Sequence, residues 1–288
     1  MPAAAAVASQ EEDREVVEEE GARDPSPAAG DPPVDPSVLG RIEGLRPRSV
    51  VYLFSGGKDS ALALLLTRDA VRELAQRIKA RVYVLYIVVA GNTHPLNAYA
   101  AAAVMEWHRR NYGFEPLYRC TGFVFQEGAA KWGLQKGPRR WCYVKCKHAA
   151  LREVERELPR PLLEIDGMAP SDAAQRGRLM RSELEEAEAG GGRFWAWHPL
   201  FSLRLSDREK LEALRRHPEF EPVVLLYEAF GDSMNCVVCP YKPLWKMRRY
   251  RLAEDARILQ RFAEVVLRSE RWRRYFSGLL DGSLELEA

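Results

Sequence analysis

The run Ser49-Val50-Val51-Tyr52-Leu53-Phe54 leads directly into Ser55-Gly56-Gly57-Lys58-Asp59-Ser60, and this junction decides the fold. The first hexapeptide is β-branched and aromatic, which predicts a buried strand. Apolar residues then recur every three or four positions from Leu62 to Leu74, which predicts a helix. The run from Val82 to Val89 predicts a second buried strand. A strand, a helix and a second strand that follow each other within about 40 residues are typical of a right-handed crossover unit in a parallel sheet.

The same alternation continues along the chain. The pattern predicts a strand near Leu117, a strand at Leu162–Asp166, and helices at about Leu96–Asn111, Cys146–Leu158, Asp172–Glu188, Ser206–Arg216 and Leu244–Leu279. We therefore expect an α/β protein with a three-layer Rossmann-like architecture, a parallel sheet covered by helices on both faces.

Charge divides the chain into three regions. The formal net charge of the 288 residues is +2, but residues 1–38 carry ten acidic and two basic side chains, which leaves +10 on residues 39–288. Few large apolar residues occur in 1–38, so we predict a disordered acidic tail there. We expect a folded domain over 39–243 and a basic helical extension over 244–288. No apolar run is long enough to span a membrane and no secretory signal is seen, so we expect a cytoplasmic protein without a membrane partner.

Arginine and aromatic residues are interleaved in the extension, at 246–251 and 271–276. Such a pattern is typical of surfaces that follow a phosphate backbone and stack bases. It is equally typical of a long amphipathic helix with solvated arginines. The sequence leaves both interpretations open.

The loop from Ser55 to Ser60 has the composition of an anion site. Gly56 and Gly57 allow a sharp turn after the strand, and the following helix adds its positive N-terminal end. Lys58 and the hydroxyls of Ser55 and Ser60 are suited to phosphate oxygens. The spacing of a Walker A loop is absent, and the alternative is a glycine turn with a capped helix.

This hexapeptide resembles the PP-loop of the adenine nucleotide alpha hydrolases, and the chain looks most like the phosphoadenosine phosphosulfate (PAPS) reductase family within them. The similarity covers about residues 48–245. Its further segments are Gly91-Asn92-Thr93-His94-Pro95, Arg140-Trp141-Cys142 with Lys147, Ile165-Asp166-Gly167 with Arg176, His198-Pro199-Leu200, and Gly231 to Pro240. The resemblance implies a PP-loop (HUP-type) fold and an enzyme that acts at the alpha phosphate of ATP, or on PAPS or adenosine phosphosulfate (APS).

The resemblance also implies roles for individual residues. Lys58, Lys147 and Asp59 are the expected catalytic residues. The expected nucleotide contacts are Ser55, Gly56, Gly57, Lys58, Asp59, Ser60, Gly91, Asn92, Thr93, Arg140, Gly167 and Arg176. Mg²⁺ is the expected ion bridging the phosphates.

Four of the five cysteines occur as two pairs, Cys142 with Cys146 and Cys236 with Cys239. Four thiolates suit tetrahedral zinc or an iron–sulfur cluster, and the same spacing is also compatible with a disulfide or with unligated thiols. The resemblance favours a [4Fe-4S] cluster on Cys142, Cys236 and Cys239, with Cys146 as the fourth candidate. We expect Cys120, near the end of a short strand, to be a buried apolar residue.

The sequence departs from the sulfonucleotide reductases at one point, because no cysteine follows Cys239. The thiol nucleophile of those reductases is therefore not found. We expect instead that the enzyme adenylates an acceptor for sulfur transfer. Its expected partners are an adenine nucleotide and a sulfur donor, with tRNA or another nucleic acid as the candidate acceptor and a homodimer as the candidate assembly. The alternatives are a sulfonucleotide (PAPS/APS) reductase and a non-enzymatic nucleotide- or RNA-binding protein with structural zinc.

Overall fold

Six strands form one sheet in the computed structural model, which describes residues 34–133, 140–170, 180–189, 192–239 and 241–242. The strands are β1 Ser49–Leu53, β2 Arg81–Ile87, β3 Glu115–Arg119, β4 Leu162–Ile165, β5 Leu184–Ala189 and β6 Gly192–Trp197. Their order across the sheet is β3-β2-β1-β4-β6-β5. β1 pairs in parallel with both β2 and β4, and β5 pairs antiparallel with β6. The predicted α/β class is confirmed, with one antiparallel edge strand that the prediction lacked.

Seven α-helices flank the strands in the described residues. They are α1 Pro36–Leu45, α2 Lys58–Ile78, α3 Pro95–Tyr112, α4 Phe125–Trp132, α5 Ala149–Glu157, α6 Asp207–Arg215 and α7 Glu221–Phe230. A π-helical turn, Tyr143–His148, leads into α5, and a 3-10 turn, Pro218–Phe220, leads into α7. Among the described residues, no helix has the length and apolar character that crossing a membrane requires.

Alternation along β1 explains the two covered faces. Val50 and Tyr52 pack into the large core with α1, α2, α3 and α6, whereas Val51 packs on the opposite face with Val154 of α5. Successive side chains of a strand point to opposite faces, so a strand buried on both faces is apolar throughout. This is why β1 could be recognised as a central strand.

The predicted helix over Asp172–Glu188 is wrong for its last part. Leu184–Ala189 is a strand whose register with β6 runs from Leu184 opposite Trp197 to Ala189 opposite Gly192. The segment is rich in glutamate and alanine, which favour helix, but pairing with β6 and burial of Leu184 override that local preference.

The predicted tail 1–38 also ends too late. Asp35 caps α1 by accepting a hydrogen bond from the Ser37 amide at 2.8 Å, Pro36 occupies the first turn, and Val38 is buried. An acidic residue assigned to the tail is therefore a helix cap. Residues 1–33 and the predicted extension 244–288 lie outside the described residues.

Candidate functional site

The loop Ser55–Ser60 lies at the carboxyl end of β1, where the strand order changes direction. β2 and β3 lie on one side of β1, and β4, β6 and β5 lie on the other. Ligands of open α/β sheets bind outside the carboxyl ends of the strands at such a point. Gly56 has a φ of +69°, which favours glycine, and Gly57 is the N-cap of α2. The loop therefore presents the N-terminus of a 21-residue helix at this edge of the sheet.

The two serine hydroxyls hold the loop in shape. Ser55 Oγ and Ser60 Oγ lie 3.1 Å apart, and the Ser55 amide donates to Ser60 Oγ at 3.1 Å. Ser60 Oγ in turn donates to the Gly57 carbonyl at 3.0 Å. The turn is thus formed by its own residues before any ligand arrives.

Charged side chains from two helices meet at Lys58. Its Nζ lies 3.0 Å from Asp59 Oδ2 and 3.1 Å from Asp207 Oδ1, and Lys210 Nζ of α6 lies 2.6 Å from Asp59 Oδ1. Burial lowers the pKa of Lys58, but Tyr227 and the two carboxylates outweigh that effect and raise it, so the ammonium stays charged. Burial raises the pKa of Asp59, yet Lys58 and Lys210 hold it below its ordinary value. The site is an alternating row of fixed charges.

Tyr227 of α7 and Ser233 also contact the loop. The Tyr227 hydroxyl accepts a hydrogen bond from the Lys58 amide at 3.1 Å, and the Lys58 ammonium lies 5.6 Å from the centroid of the Tyr227 ring. A Cβ on Gly57 would approach Ser233 Oγ to 3.3 Å. Tyr227, Asp207 and Lys210 were not among the predicted site residues, because their helix periodicity is indistinguishable from that of an ordinary surface helix.

Two asparagines brace the loop from behind. The Ser55 carbonyl accepts hydrogen bonds from Asn97 at 3.2 Å and from Asn235 at 3.1 Å. Asn97 also accepts from the Met234 amide at 3.0 Å, which ties the segment before the cysteines to the loop. The chain has only four asparagines, and Asn92, Asn97 and Asn235 are all buried near this site. Their rarity is the signal that could have identified them.

A pocket of about 170 Å³ adjoins the loop at the carboxyl ends of β1 and β2. Its apolar lining comes from the two strands and α5, and its polar groups are Ser55, Asn235 and the side chains of the π-helical turn. The lining residues are Leu53, Phe54, Ser55, Leu85, Ile87, Tyr143, Lys147, His148, Leu151 and Asn235. A π-turn is often associated with a functional site, and here it places Lys147 and His148 in the pocket. The pocket combines an apolar interior with a cation beside the loop.

The segment after β4 closes against the loop. A Cβ on Gly167 would come within 2.4 Å of the Asp59 carbonyl carbon and 2.5 Å of the Ser60 amide, so only glycine fits there. Asp166 Oδ1 accepts hydrogen bonds from the Met168 amide and from His198 Nδ1, both at 2.9 Å. Burial lowers the pKa of His198, but the hydrogen bond and charge of Asp166 outweigh it, and the net shift is upward. Gly167 therefore lies against the loop, and its contact with a nucleotide stays a prediction.

The predicted nucleotide contacts Asn92 and Thr93 form hydrogen bonds to residues 235–238, the segment that follows Met234. The Asn92 side chain donates to the Val238 carbonyl at 2.9 Å and accepts from the Val238 amide at 2.7 Å. Thr93 Oγ1 donates to the Asn235 carbonyl at 3.0 Å. These two side chains hold the loop that carries Cys236 and Cys239. Gly91, with a φ of +74°, forms the turn before them.

The remaining two predicted contacts are arginines. The Arg140 guanidinium lies over the rings of Tyr143 and Tyr241, and Arg176 lies outside the described residues.

The paired cysteines are gathered by the fold. Cys142, Cys146 and Cys236 pack in one apolar cluster with Trp141 and Phe125. Burial raises the pKa of the Cys146 thiol to about 11, and the Cys142 and Cys236 thiols add to the shift. Burial likewise raises the pKa of Cys142, where Cys236 and Cys239 also contribute. All five cysteines are free thiols, so the Cys236–Cys239 disulfide is not formed.

The thiols supply the ligand types that a metal centre needs, but they are not arranged in the geometry that it needs. Cys142, Cys146 and Cys236 share one partly dehydrated cluster, and Cys239 is close enough to Cys142 to add to the rise in its pKa. Four free thiols are the donor set that zinc or an iron–sulfur cluster uses. Among the described residues, however, no three histidine, cysteine, aspartate or glutamate side chains are arranged to hold one metal ion. The donor set fits, and the closed geometry is not formed.

The predicted burial of Cys120 is wrong. Cys120 follows the last residue of β3, which is an edge strand, and its side chain is exposed. An edge strand has a neighbour on one side only, so the residue just beyond its end is not covered.

Comparison with known proteins finds no matching family model. An uncharacterized protein of Methanocaldococcus jannaschii is 24% identical over 206 residues, which cover 70% of this chain and 38% of that protein. Candida glabrata FMN adenylyltransferase in complex with FAD and inorganic pyrophosphate aligns with a TM-score of 0.36 and 11% identity over 64% of this chain and 48% of that one. The same enzyme in complex with FMN and the ATP analogue AMPCPP aligns with a TM-score of 0.35 and 12% identity over 57% and 52%. The chain spans about two fifths to one half of the length of these proteins. These similarities are too low to assign a family, so the function is inferred from the site.

Proposed function

We propose that the protein is an enzyme that binds ATP at the Ser55–Ser60 loop and transfers the adenylyl group to an acceptor. One observation carries the proposal: the anion-binding loop and the largely apolar pocket meet at Ser55, at the carboxyl end of β1. A nucleotide has this same division between a flat ring and a chain of phosphates. The ring fits the apolar part of the pocket, and the phosphates fit the N-terminus of α2.

The charges around the loop support the orientation of the phosphates. Lys58 is held between Asp59 and Asp207, and Lys147 lies in the pocket beside Ser55. Both carboxylate oxygens of Asp59 are engaged by ammonium groups, at 3.0 Å and 2.6 Å. Asp59 therefore suits the role of orienting Lys58 better than that of a magnesium ligand. Mg²⁺, when bound, would contact the phosphates themselves and neutralise part of their charge.

The reaction follows from this placement. An acceptor oxygen attacks the alpha phosphorus, the bond to the bridging oxygen breaks, and pyrophosphate leaves with the electron pair while the acceptor proton passes to solvent. Negative charge grows on the alpha phosphate and on pyrophosphate, and Lys58 and Lys147 stabilise it. In a second step a sulfur nucleophile forms a bond to the activated carbon, and AMP leaves with its electron pair. Fixed cations in a partly dehydrated site stabilise such charge better than water does.

Labelled nucleotide tests the proposal. With alpha-labelled ATP and RNA or small hydroxyl or carbonyl acceptors, under anoxic conditions, the wild-type chain should release pyrophosphate and form the adenylated acceptor, and labelled AMP should appear when sulfide is added as the sulfur nucleophile. Lys58→Ala should abolish turnover because it removes the central cation. Lys79→Ala, at the exposed far end of the same helix, is the matched control and should retain it. A wild-type protein that neither binds ATP nor releases pyrophosphate would contradict the proposal.

We include a [4Fe-4S] cluster on Cys142, Cys146, Cys236 and Cys239 in the proposal, with zinc as the alternative, although the adenylyl transfer uses no step through it. The support is that Cys142, Cys146 and Cys236 share one cluster and that Cys239 is close enough to Cys142 to add to the rise in its pKa. Anaerobically purified protein should show absorbance near 400 nm and iron by elemental analysis. Colourless protein with stoichiometric zinc would instead favour a structural site and the non-enzymatic binding alternative.

A second candidate is a sulfonucleotide reductase that uses Cys120. The observation that favours it is the exposed thiol of Cys120, close enough to Cys146 to add to the upward shift of that residue's pKa. In this reaction the Cys120 thiolate forms a bond to the sulfate sulfur, the nucleotide leaves, and a dithiol reductant releases sulfite. Sulfite released from PAPS or APS by the wild type and not by Cys120→Ser would establish it.

A further inference from the structure

A continuous stack of rings and a guanidinium begins at the mouth of the pocket. The His148 and Tyr143 rings lie 5.6 Å apart with an interplanar angle of 11°. The Arg140 guanidinium lies 5.3 Å from the Tyr143 ring centroid and 5.2 Å from that of Tyr241. His148 and Tyr143 also line the pocket. The stack therefore leads from the pocket outward to Tyr241.

The stack lies at the surface. Tyr143 is 39% exposed and Tyr241 is 53% exposed. In the described part of the chain, three of the five large apolar side chains that are exposed lie here, namely Tyr143, Val144 and Tyr241. Exposed apolar groups that cluster, rather than occur singly, mark interaction sites. Packing of the protein core does not account for them.

Two lysines lie over a second ring group, Phe123 and Trp132, which contacts Trp141, the residue after Arg140. Lys145 lies 5.9 Å from the Phe123 ring centroid and 5.7 Å from that of Trp132, and Lys131 lies 5.0 Å from the Trp132 ring. Within the described residues, neither lysine forms an ion pair with a carboxylate at 4.0 Å or less, and the same holds for Lys147 in the pocket. The positive charge of this surface is thus available to an anionic partner.

Exposed aromatic rings, with lysines nearby that have no carboxylate partner among the described residues, complement one class of ligand. A single-stranded nucleic acid presents base faces that stack on aromatic rings and phosphates that attract cations. A duplex hides its base faces, so it cannot stack on these rings. We propose that the stack from His148 to Tyr241, together with Lys131 and Lys145 of the neighbouring ring group, binds a single-stranded nucleic acid and leads its end to the pocket. The role of this nucleic acid as acceptor rests on the proposed adenylyl transfer. The binding of the nucleic acid to the stack does not.

Binding is tested with the full chain and fluorescein-labelled 12-nucleotide RNA and DNA of the same mixed sequence, by fluorescence anisotropy. Tyr241→Ala removes the exposed ring at the outer end of the stack and should weaken binding of the single strand about tenfold, since one base loses its stacking partner. Tyr143→Ala should also weaken binding, because Arg140 loses the ring that it lies against and the stack is interrupted. Tyr143→Phe keeps the ring and should bind as the wild type does. Tyr99→Ala, at an exposed tyrosine of α3, is the matched control and should also leave binding unchanged. Comparison of the RNA with the DNA shows whether the 2′-hydroxyl contributes.

The outcomes separate this proposal from the proposed reaction. If both alanine variants bind the single strand as tightly as the wild type, or if a duplex of the same sequence binds equally well, the stacking surface is refuted. If ATP is not turned over while binding still depends on Tyr143 and Tyr241, the surface stands and the adenylyl transfer fails. Circular dichroism of each variant verifies its fold. If Tyr143→Ala is unstable, Tyr241→Ala is compared with Tyr143→Phe instead.

Discussion

Lys210 provides the sharpest test of how the loop is held. Its ammonium lies 2.6 Å from Asp59 Oδ1, and the Lys210 side chain is only 6% exposed while that of Asp59 is 29% exposed. Lys210→Met keeps the length and apolar stem of the side chain and removes the charge. The expected change is a loss of the charged hydrogen bond, with Asp59 retaining Lys58 as its partner.

The magnitude follows from the burial of the pair. A hydrogen bond to a charged group is worth about 1.5–3 kcal/mol, and we expect about 2 kcal/mol because Asp59 keeps one cation. For a folded domain of about 200 residues this lowers Tm by about 4–8 °C. Arg208→Met is the matched control on the same helix, since Arg208 is 87% exposed and pairs only with Glu212 four residues on. Its effect should be a few tenths of a kcal/mol, or about 1 °C.

Acid titration gives the second readout for Lys210→Met. The pKa of Asp59 is held below its ordinary 3.8, so its ionised form stabilises the fold above that pH and the benefit is lost as pH falls through the lower folded-state pKa. Removing Lys210 raises that folded-state pKa, so acid unfolding should begin at a higher pH. Melting and acid curves for Lys210→Met that coincide with those of Arg208→Met would refute the structural role of Lys210.

Three further changes test other parts of the site. Gly167→Ala should destabilise the protein by about 1–3 kcal/mol and impair ATP binding, because the new Cβ meets the Asp59 backbone. Gly44→Ala, in open space on α1, is the control and should be neutral or stabilising. Chemical denaturation measures both. Burial, with neighbouring carboxylates, raises the pKa of Glu164 to about 8, so above pH 5 the folded chain must hold a proton that the unfolded chain releases. Glu164→Gln removes this cost and should stabilise the fold increasingly as pH rises from 5 toward 8. A Tm difference that does not depend on pH would contradict this. His198→Gln should lower stability below pH 6.5, because the raised pKa of His198 favours its imidazolium form beside the Asp166 carboxylate. The loss should disappear as pH rises through the folded-state pKa of His198. Tm measured against pH tests this.

The sequence was informative where a segment's own residues set its structure. The apolar run of β1, the glycines at 56 and 57, and the periodic leucines of α2 act over neighbouring residues, so the strand, turn and helix could all be predicted. The periodicity of α3 and the apolar run of β2 were equally clear. The failures lie where distant pairing decides, as at β5, whose glutamates and alanines favour helix but whose partner is β6.

The sequence alone determined the α/β class and predicted an anion-binding loop at Ser55–Ser60, because both depend on local patterns of burial and backbone freedom. Only the tertiary structure decided which distant side chains complete the site. Lys210, Tyr227 and Asn235 reach the loop from elements far along the chain, at separations of 151, 169 and 180 positions. Such contacts leave no periodic signal, since each is a single polar side chain on an otherwise ordinary helix or loop. The packing of α6 and α7 against α2 surrounds this glycine turn with charged and hydroxyl side chains.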